Sequence, residues 1–250
     1  MHDDCVLISD GGQTDTRHKT GLTKSFFGTH TDICSRGHCT RFSLIAVKCV
    51  HKPLRNTMEL RGKGVFITGA ATGIGRALLP SLLDRGARVL FCDVNEEAGR
   101  RARDELLLKY GESDVIFMQC DVSDAKQLTE AFQRAVNEFR AVEICINNAA
   151  IMDERVWEKM IDINQVGVIR GSNLALEHMR RDKGGRGGVI INTASVNGLY
   201  YGQWMFPVYM CTKKAIVGFT TSWANSPEQE QHGVRWGVVC PDGTATPLTD

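Results

Sequence analysis

The chain has 250 residues, enough for one sizeable α/β domain. Hydrophobic residues make up 42% and charged residues 24%, with 30 basic residues against 29 acidic ones. There is thus no basic excess to favour nucleic acid or an anionic membrane surface as the main partner, and no apolar run long enough to span a bilayer.

Residues 1–57 differ from the rest. They hold four of the nine cysteines and five histidines, with no sustained helical or strand period. The apolar run Phe42 to Val47 is too short for a secretory signal, and Asp3, Asp4, Asp10 and Asp15 argue against a mitochondrial presequence. His30, Cys34, His38 and Cys39 could ligate zinc, but their spacing fits no strong pattern, so no metal is expected. The segment reads as a disordered or non-native leader, with the functional domain at 58–250 behind Met58. Cys92, Cys120, Cys145 and Cys240 lie in or beside apolar runs, as buried thiols of a reducing compartment do, and a cytoplasmic location is expected.

From Glu59 the pattern alternates. Strand-like runs at 64–68, 87–92, 114–119, 142–147, 188–193 and 234–240 are separated by helical stretches such as 74–85, 96–109, 124–139 and 154–181. This predicts parallel strands with right-handed helical crossovers, a doubly wound, three-layer α/β sheet of the Rossmann type. Ligands then bind beyond the carboxyl ends of the strands, where the strand order reverses. Pro80 falls inside the first helix and should kink it.

The first strand runs into Thr68-Gly69-Ala70-Ala71-Thr72-Gly73-Ile74-Gly75 and then a helix. Glycines allow a tight turn and close approach of phosphates, and a helix N-terminus offers free N–H groups, so this is a dinucleotide site. Asp93 closes the second strand 18 residues after Gly75, where a carboxylate takes a ribose 2′-hydroxyl and repels a 2′-phosphate. Val94 and Asn95 follow, with no arginine, so the expected cofactor is NAD rather than NADP. Asp121-Val122 after the third strand and Asn147-Asn148-Ala149-Ala150 after the fourth fall along the same dinucleotide path.

Tyr209 and Lys213 stand four apart, on one face of a helix. A lysine ammonium beside a phenol lowers its pKa and fits it to accept a proton. Ser195 ends the fifth strand 14 residues earlier, placed to hold a substrate oxygen.

Taken together, Thr68-Gly69-x-x-x-Gly73-x-Gly75, Asn147-Asn148-Ala149, Ser195 and Tyr209-x-x-x-Lys213 resemble the short-chain dehydrogenase/reductase family in kind and order over residues 58–250. Asn164 matches the family's fourth catalytic position. Within the family the likeness is to the branch acting on the 15-hydroxyl of prostaglandins, through Asp93 to Gly99, Trp157-Glu158-Lys159, Gly187 to Asn192, and Pro207-Val208-Tyr209 with Gly218-Phe219-Thr220. The resemblance implies that Tyr209 takes a proton from a secondary alcohol, Lys213 lowers its pKa and holds the nicotinamide ribose, and Ser195 fixes the substrate oxygen. It also implies that Asn164 holds a proton-relaying water. It assigns NAD to Gly69, Thr72, Gly73, Ile74, Gly75, Asp93, Asp121, Val122, Asn148, Tyr209, Lys213 and Thr246. It assigns a lipid-like substrate to Ser195, Phe206 and Tyr209, and implies a homodimer packed through the helices around Asn164 and Tyr209.

The chain departs from the family pattern at Ala150, at Asp242 after Pro241, at Phe206, and in a loop from Ser195 to Tyr209 one residue longer than usual. Tyr200, Tyr201, Trp204, Met205 and Phe206 are candidates for an apolar cleft, or for ordinary packing. The family's lid and seventh strand do not follow Asp250, which would leave strand 234–239 as an open sheet edge. A steroid or other secondary alcohol, or a non-catalytic NAD-binding role, stand as alternatives.

Overall fold

The computed structural model describes the backbone of residues 31–35, 38–42 and 44–47, and residues 59–250 apart from 200–203, 245, 247, 249 and 250. Three strands precede the expected ones. β1 (Thr31–Ser35) and β2 (His38–Phe42) form an antiparallel hairpin, and β3 (Leu44–Val47) pairs elsewhere. These strands depart from the featureless leader read from the sequence. The zinc candidates fall outside the described residues: nothing of His30 is described, nor the side chains of Cys34, His38 and Cys39.

The six expected strands follow as β4 (Gly64–Thr68), β5 (Arg88–Asp93), β6 (Val115–Gln119), β7 (Ile144–Asn147), β8 (Gly188–Thr193) and β9 (Val234–Pro241). All six run parallel in the order β9-β8-β7-β4-β5-β6. The chain winds outward from β4 through β5 to β6, then crosses back to β7 and winds the other way. The carboxyl ends of β4 and β7 therefore flank the reversal point, where an open α/β sheet has its crevice.

The edge expected to be open is covered. β3 lies antiparallel on β9, with Leu44 opposite Pro241 and Val47 opposite Val238. The expectation failed because the Phe42 to Val47 run is too short to show a strand period. Its partner is supplied only by tertiary structure.

Helices α1 (Gly73–Leu83) and α2 (Glu96–Leu107) cover one face of the sheet, and α3 (Ala125–Phe139), α5 (Val168–Met179) and α6 (Pro207–Ala224) the other. The pleat of β4 divides its side chains accordingly. Val65 and Ile67 meet Leu79, Leu83 and Leu106, while Phe66 packs edge-on against Phe132 of α3 at 5.3 Å. α1 runs through Pro80 to Leu83. The predicted helix 154–181 is broken into a 3₁₀ turn at Glu154–Val156, α4 (Trp157–Ile161), a π-helical stretch at Asp162–Gly167, and α5. A short α7 (Gln229–His232) precedes β9. Cys92, Cys120, Cys145 and Cys240 are buried free thiols, as expected. Among the described residues no helix is long and apolar enough to cross a membrane.

Candidate active site

The glycine turn is held open by its neighbours rather than by caps of its own. Thr68 Oγ1 accepts the backbone N–H groups of Asn148 (3.0 Å) and Ala149 (3.1 Å), and Asn148 Nδ2 donates back to the Gly69 carbonyl at 2.8 Å. The ends of β4 and β7 are thus bonded directly to each other. Gly69 has φ +63°, and a Cβ there would lie 2.5 Å from Ala149 Cα. A Cβ on Gly75 would lie 2.4 Å from the Gly69 carbonyl oxygen. Only glycine fits at either position.

Thr72 precedes α1 without a side-chain capping bond, whereas Asn95 caps α2 through Ala98 N–H and Asp124 caps α3 through Lys126 and Gln127 N–H. A side-chain cap typically contributes about 1 kcal/mol. Its absence leaves the first N–H groups of α1 available to an anion beside Thr72, Gly73 and Ile74. Asp93 Oδ2 accepts the Ala71 N–H at 3.0 Å and Oδ1 that of Asn95 at 3.0 Å, fixing the carboxylate beside the turn. Asp121 Oδ1 is engaged by Ser123, through its N–H at 2.9 Å and its hydroxyl at 2.6 Å.

A cavity of about 650 Å³ runs from Asp93 to the start of α6. It is lined by Gly69, Thr72, Gly73, Ile74, Asp93, Asp121, Val122, Asn148, Ser195, Phe206, Tyr209, Lys213 and Thr246, so these predicted residues meet in one crevice. Gly75 lies behind the lining, and Asn164 is fully buried away from it. The residues suit a dinucleotide: a glycine cradle that a Cβ would fill, an uncapped helix start, and a carboxylate at one end.

At the other end, Tyr209 and Lys213 project from one face of α6. Both are buried, with Lys213 Nζ 5.5 Å from the Tyr209 ring centre. Nζ donates to the Thr193 carbonyl at 3.0 Å, and burial pulls the ammonium down to about 8. The phenol behaves differently from the simple expectation. Burial raises it above its ordinary value, and a hydrogen bond with Ser195 opposes that rise. The lysine ammonium is directed to a backbone carbonyl, and desolvation is the largest influence on the phenol in this structure.

Asn164 sits in the π-helical stretch. Its Oδ1 accepts Ile151 N–H at 2.9 Å, and its Nδ2 donates to the Ile151 carbonyl at 2.8 Å and to Thr212 Oγ1 at 3.4 Å. Both amide hydrogens are therefore engaged by protein groups, and the residue fixes the chain at Ile151. The candidates for an apolar cleft divide. Phe206 lines the cavity, but Trp204 and Met205 are 89% and 58% exposed, and Tyr200 and Tyr201 fall outside the described residues.

Several partners escaped the sequence reading. The Thr193 carbonyl is a main-chain group and leaves no mark in side-chain pattern. Glu154 accepts the N–H groups of Val208 (3.2 Å) and Tyr209 (2.9 Å) from 54 and 55 residues away. A buried polar chain links Asn147 to Ser172 and Asn192, and Asn192 to Thr220 of α6.

The sequence profile described as short chain dehydrogenase matches residues 63–250. The chain belongs to the short chain dehydrogenase family. It is 40% identical over 193 residues to the 15-hydroxyprostaglandin dehydrogenase [NAD(+)] of Mus musculus, covering 77% of this chain and 71% of the relative. It is 36% identical over 202 residues to the 3beta-hydroxysteroid dehydrogenase 2 of Eggerthella lenta, covering 77% and 75%. Among solved structures it is similar to a short chain dehydrogenase/reductase from Burkholderia phymatum in complex with NAD, with TM-score 0.70, 27% identity, and 77% and 69% of the two chains covered. Levodione reductase superposes with TM-score 0.69 at 28% identity, covering 76% and 75%.

Proposed function

We propose that this short chain dehydrogenase uses NAD to oxidise a secondary alcohol to a ketone on a lipid-like substrate, namely the 15-hydroxyl of prostaglandins or related hydroxy fatty acids. The observation that carries the reading is the assembly of Ser195, Tyr209 and Lys213 at one end of a crevice whose other end is closed by Asp93. The similarity to the mouse prostaglandin enzyme supports the substrate class.

Bound NAD supplies the hydride acceptor. Asp93 pairs with the adenosine ribose, and its charge disfavours a 2′-phosphate. Ser195 donates a hydrogen bond to the substrate oxygen and holds the carbinol carbon toward the cofactor. Tyr209, as phenolate, takes the alcohol proton, and Lys213 holds the nicotinamide ribose and balances the charge that develops on the phenol. The proposed catalytic and cofactor residues all lie within 58–250, and the enzyme acts in the cytoplasm as a homodimer packed through α4, α5 and α6. A steroid alcohol is the second reading, favoured by the Eggerthella lenta relative and by apolar Phe206 on the cavity wall.

The deciding experiment follows nicotinamide reduction by the purified chain with NAD or NADP and, in parallel, a 15-hydroxyprostaglandin and a 3β-hydroxysteroid. Turnover of the prostaglandin with NAD alone is the expected result. Turnover of the steroid only would move the assignment to the second reading.

A further inference from the structure

α6 carries both Tyr209 and Lys213, yet it has no cap of its own. Phe206 at its N-cap makes no side-chain bond, and Pro207 has no N–H to offer. The next two donors, Val208 N–H and Tyr209 N–H, would be left unpaired. Both are taken by one carboxylate: Glu154 Oε2 accepts Val208 N–H at 3.2 Å and Oε1 accepts Tyr209 N–H at 2.9 Å. Glu154 belongs to the segment that leaves β7, whose residues Ile151, Met152 and Asp153 line the cavity. The origin of that segment is pinned by Asn164 through both backbone groups of Ile151. A short strap thus runs from a fully buried asparagine to the main-chain nitrogen of the reacting tyrosine.

We infer that Glu154 is a positioning residue for Tyr209: its carboxylate fixes the start of α6 and so sets where the phenol stands relative to Ser195. The inference rests on the proposed alcohol dehydrogenase reading and adds a residue to it. A carboxylate bonded to backbone N–H groups at a helix start is also favoured by the helix dipole, so the clamp holds better than a neutral one would. A misplaced phenol loses rate, because proton transfer needs hydrogen-bond distance in the reacting geometry. Cofactor binding is affected less, because Glu154 touches neither the glycine cradle nor the Asp93 end, and Lys213 is anchored separately to the Thr193 carbonyl.

The test compares Glu154→Ala and Glu154→Gln in the full chain. In Glu154→Ala, kcat should fall roughly 10- to 100-fold per folded molecule, while KM for the alcohol and Kd for NAD stay within about threefold. Glu154→Gln retains one acceptor oxygen and should recover much of the loss. Amide hydrogen exchange should quicken at Val208 and Tyr209 in the alanine variant, and more there than in the body of α6. The inference is overturned if kcat per folded molecule is unchanged in Glu154→Ala, if Glu154→Gln is no better than alanine, or if exchange at Val208 and Tyr209 does not respond. Should the unmodified chain oxidise no secondary alcohol, the functional reading fails, and the exchange measurement alone still decides whether Glu154 holds α6.

Discussion

Lys213 Nζ donates to the carbonyl oxygen of Thr193 at 3.0 Å, tying α6 to the carboxyl end of β8 inside a desolvated pocket. The bond orients the lysine, but it does not fully offset the loss of water, and the ammonium is pulled down to about 8. Unfolded, the same lysine titrates near 10.5. Between those pH values the unfolded chain holds a proton that the folded chain has released, so stability should rise from pH ~8 to ~10.5. Lys213→Met should abolish turnover, raise stability at neutral pH by up to about 3 kcal/mol, and remove that alkaline rise. Denaturant unfolding of both proteins at neutral pH and at high pH reads all of this.

Tyr209→Phe should lower kcat by about 10²- to 10⁴-fold, the usual contribution of a positioned proton acceptor, and leave NAD binding intact. Titration of the variant with NAD alongside the turnover assay separates the two effects.

The Ser195 hydrogen bond works against burial on the Tyr209 phenol. Removing it in Ser195→Ala should raise the phenol further. Because alcohol oxidation needs the deprotonated form, the acidic limb of the kcat profile should move to higher pH, in addition to a lower plateau. An unmoved limb would mean that Ser195 acts on the substrate alone.

Asp93 meets both Ala71 N–H and Asn95 N–H, so truncating it would disturb the turn as well as the cofactor. Asp93→Asn keeps an acceptor and removes the charge. NAD should bind about ten- to a hundredfold more weakly, as expected for loss of a charge-assisted hydrogen bond, and the preference for NAD over NADP should shrink. Parallel Kd measurements with the two dinucleotides check this.

β3 meets β9 through backbone pairing, Ile45 opposite Cys240 and Ala46 opposite Val239. In an antiparallel ladder one of two successive residues exchanges hydrogen bonds with its partner. Proline at both 45 and 46 therefore removes at least one donor and uncovers the β9 edge. The double variant should show a lower melting temperature and increased light scattering on heating, both compared with the unmodified chain.

Much of the sheet was legible because each strand is a short apolar run between turn residues, and β4, β5, β8 and β9 fall within a residue of their expected bounds. The positions of the glycine turn and of Asp93 were legible for a similar reason: each is marked by a short local pattern, glycines after one strand and an acid closing the next. What stayed hidden depends on distant partners. Helical periodicity carries 154–181 as one piece and cannot show the π-helical stretch that turns Asn164 onto Ile151. Tyr209 and Lys213 read correctly as neighbours on a helix, yet the balance between burial and charge on the phenol needed the packing around it. Glu154 stands at the start of the predicted helix 154–181 with nothing local to single it out, and only the fold brings it to α6.

The pairing of Leu44 with Pro241 also constrains how the chain is made. During synthesis β3 leaves the ribosome early, and its partner β9 is translated only after all five other parallel strands. At about 5–20 residues per second, β3 waits many seconds without its neighbour. β3 can pair only once β9 has been made, so the covered edge is a feature of the finished sheet.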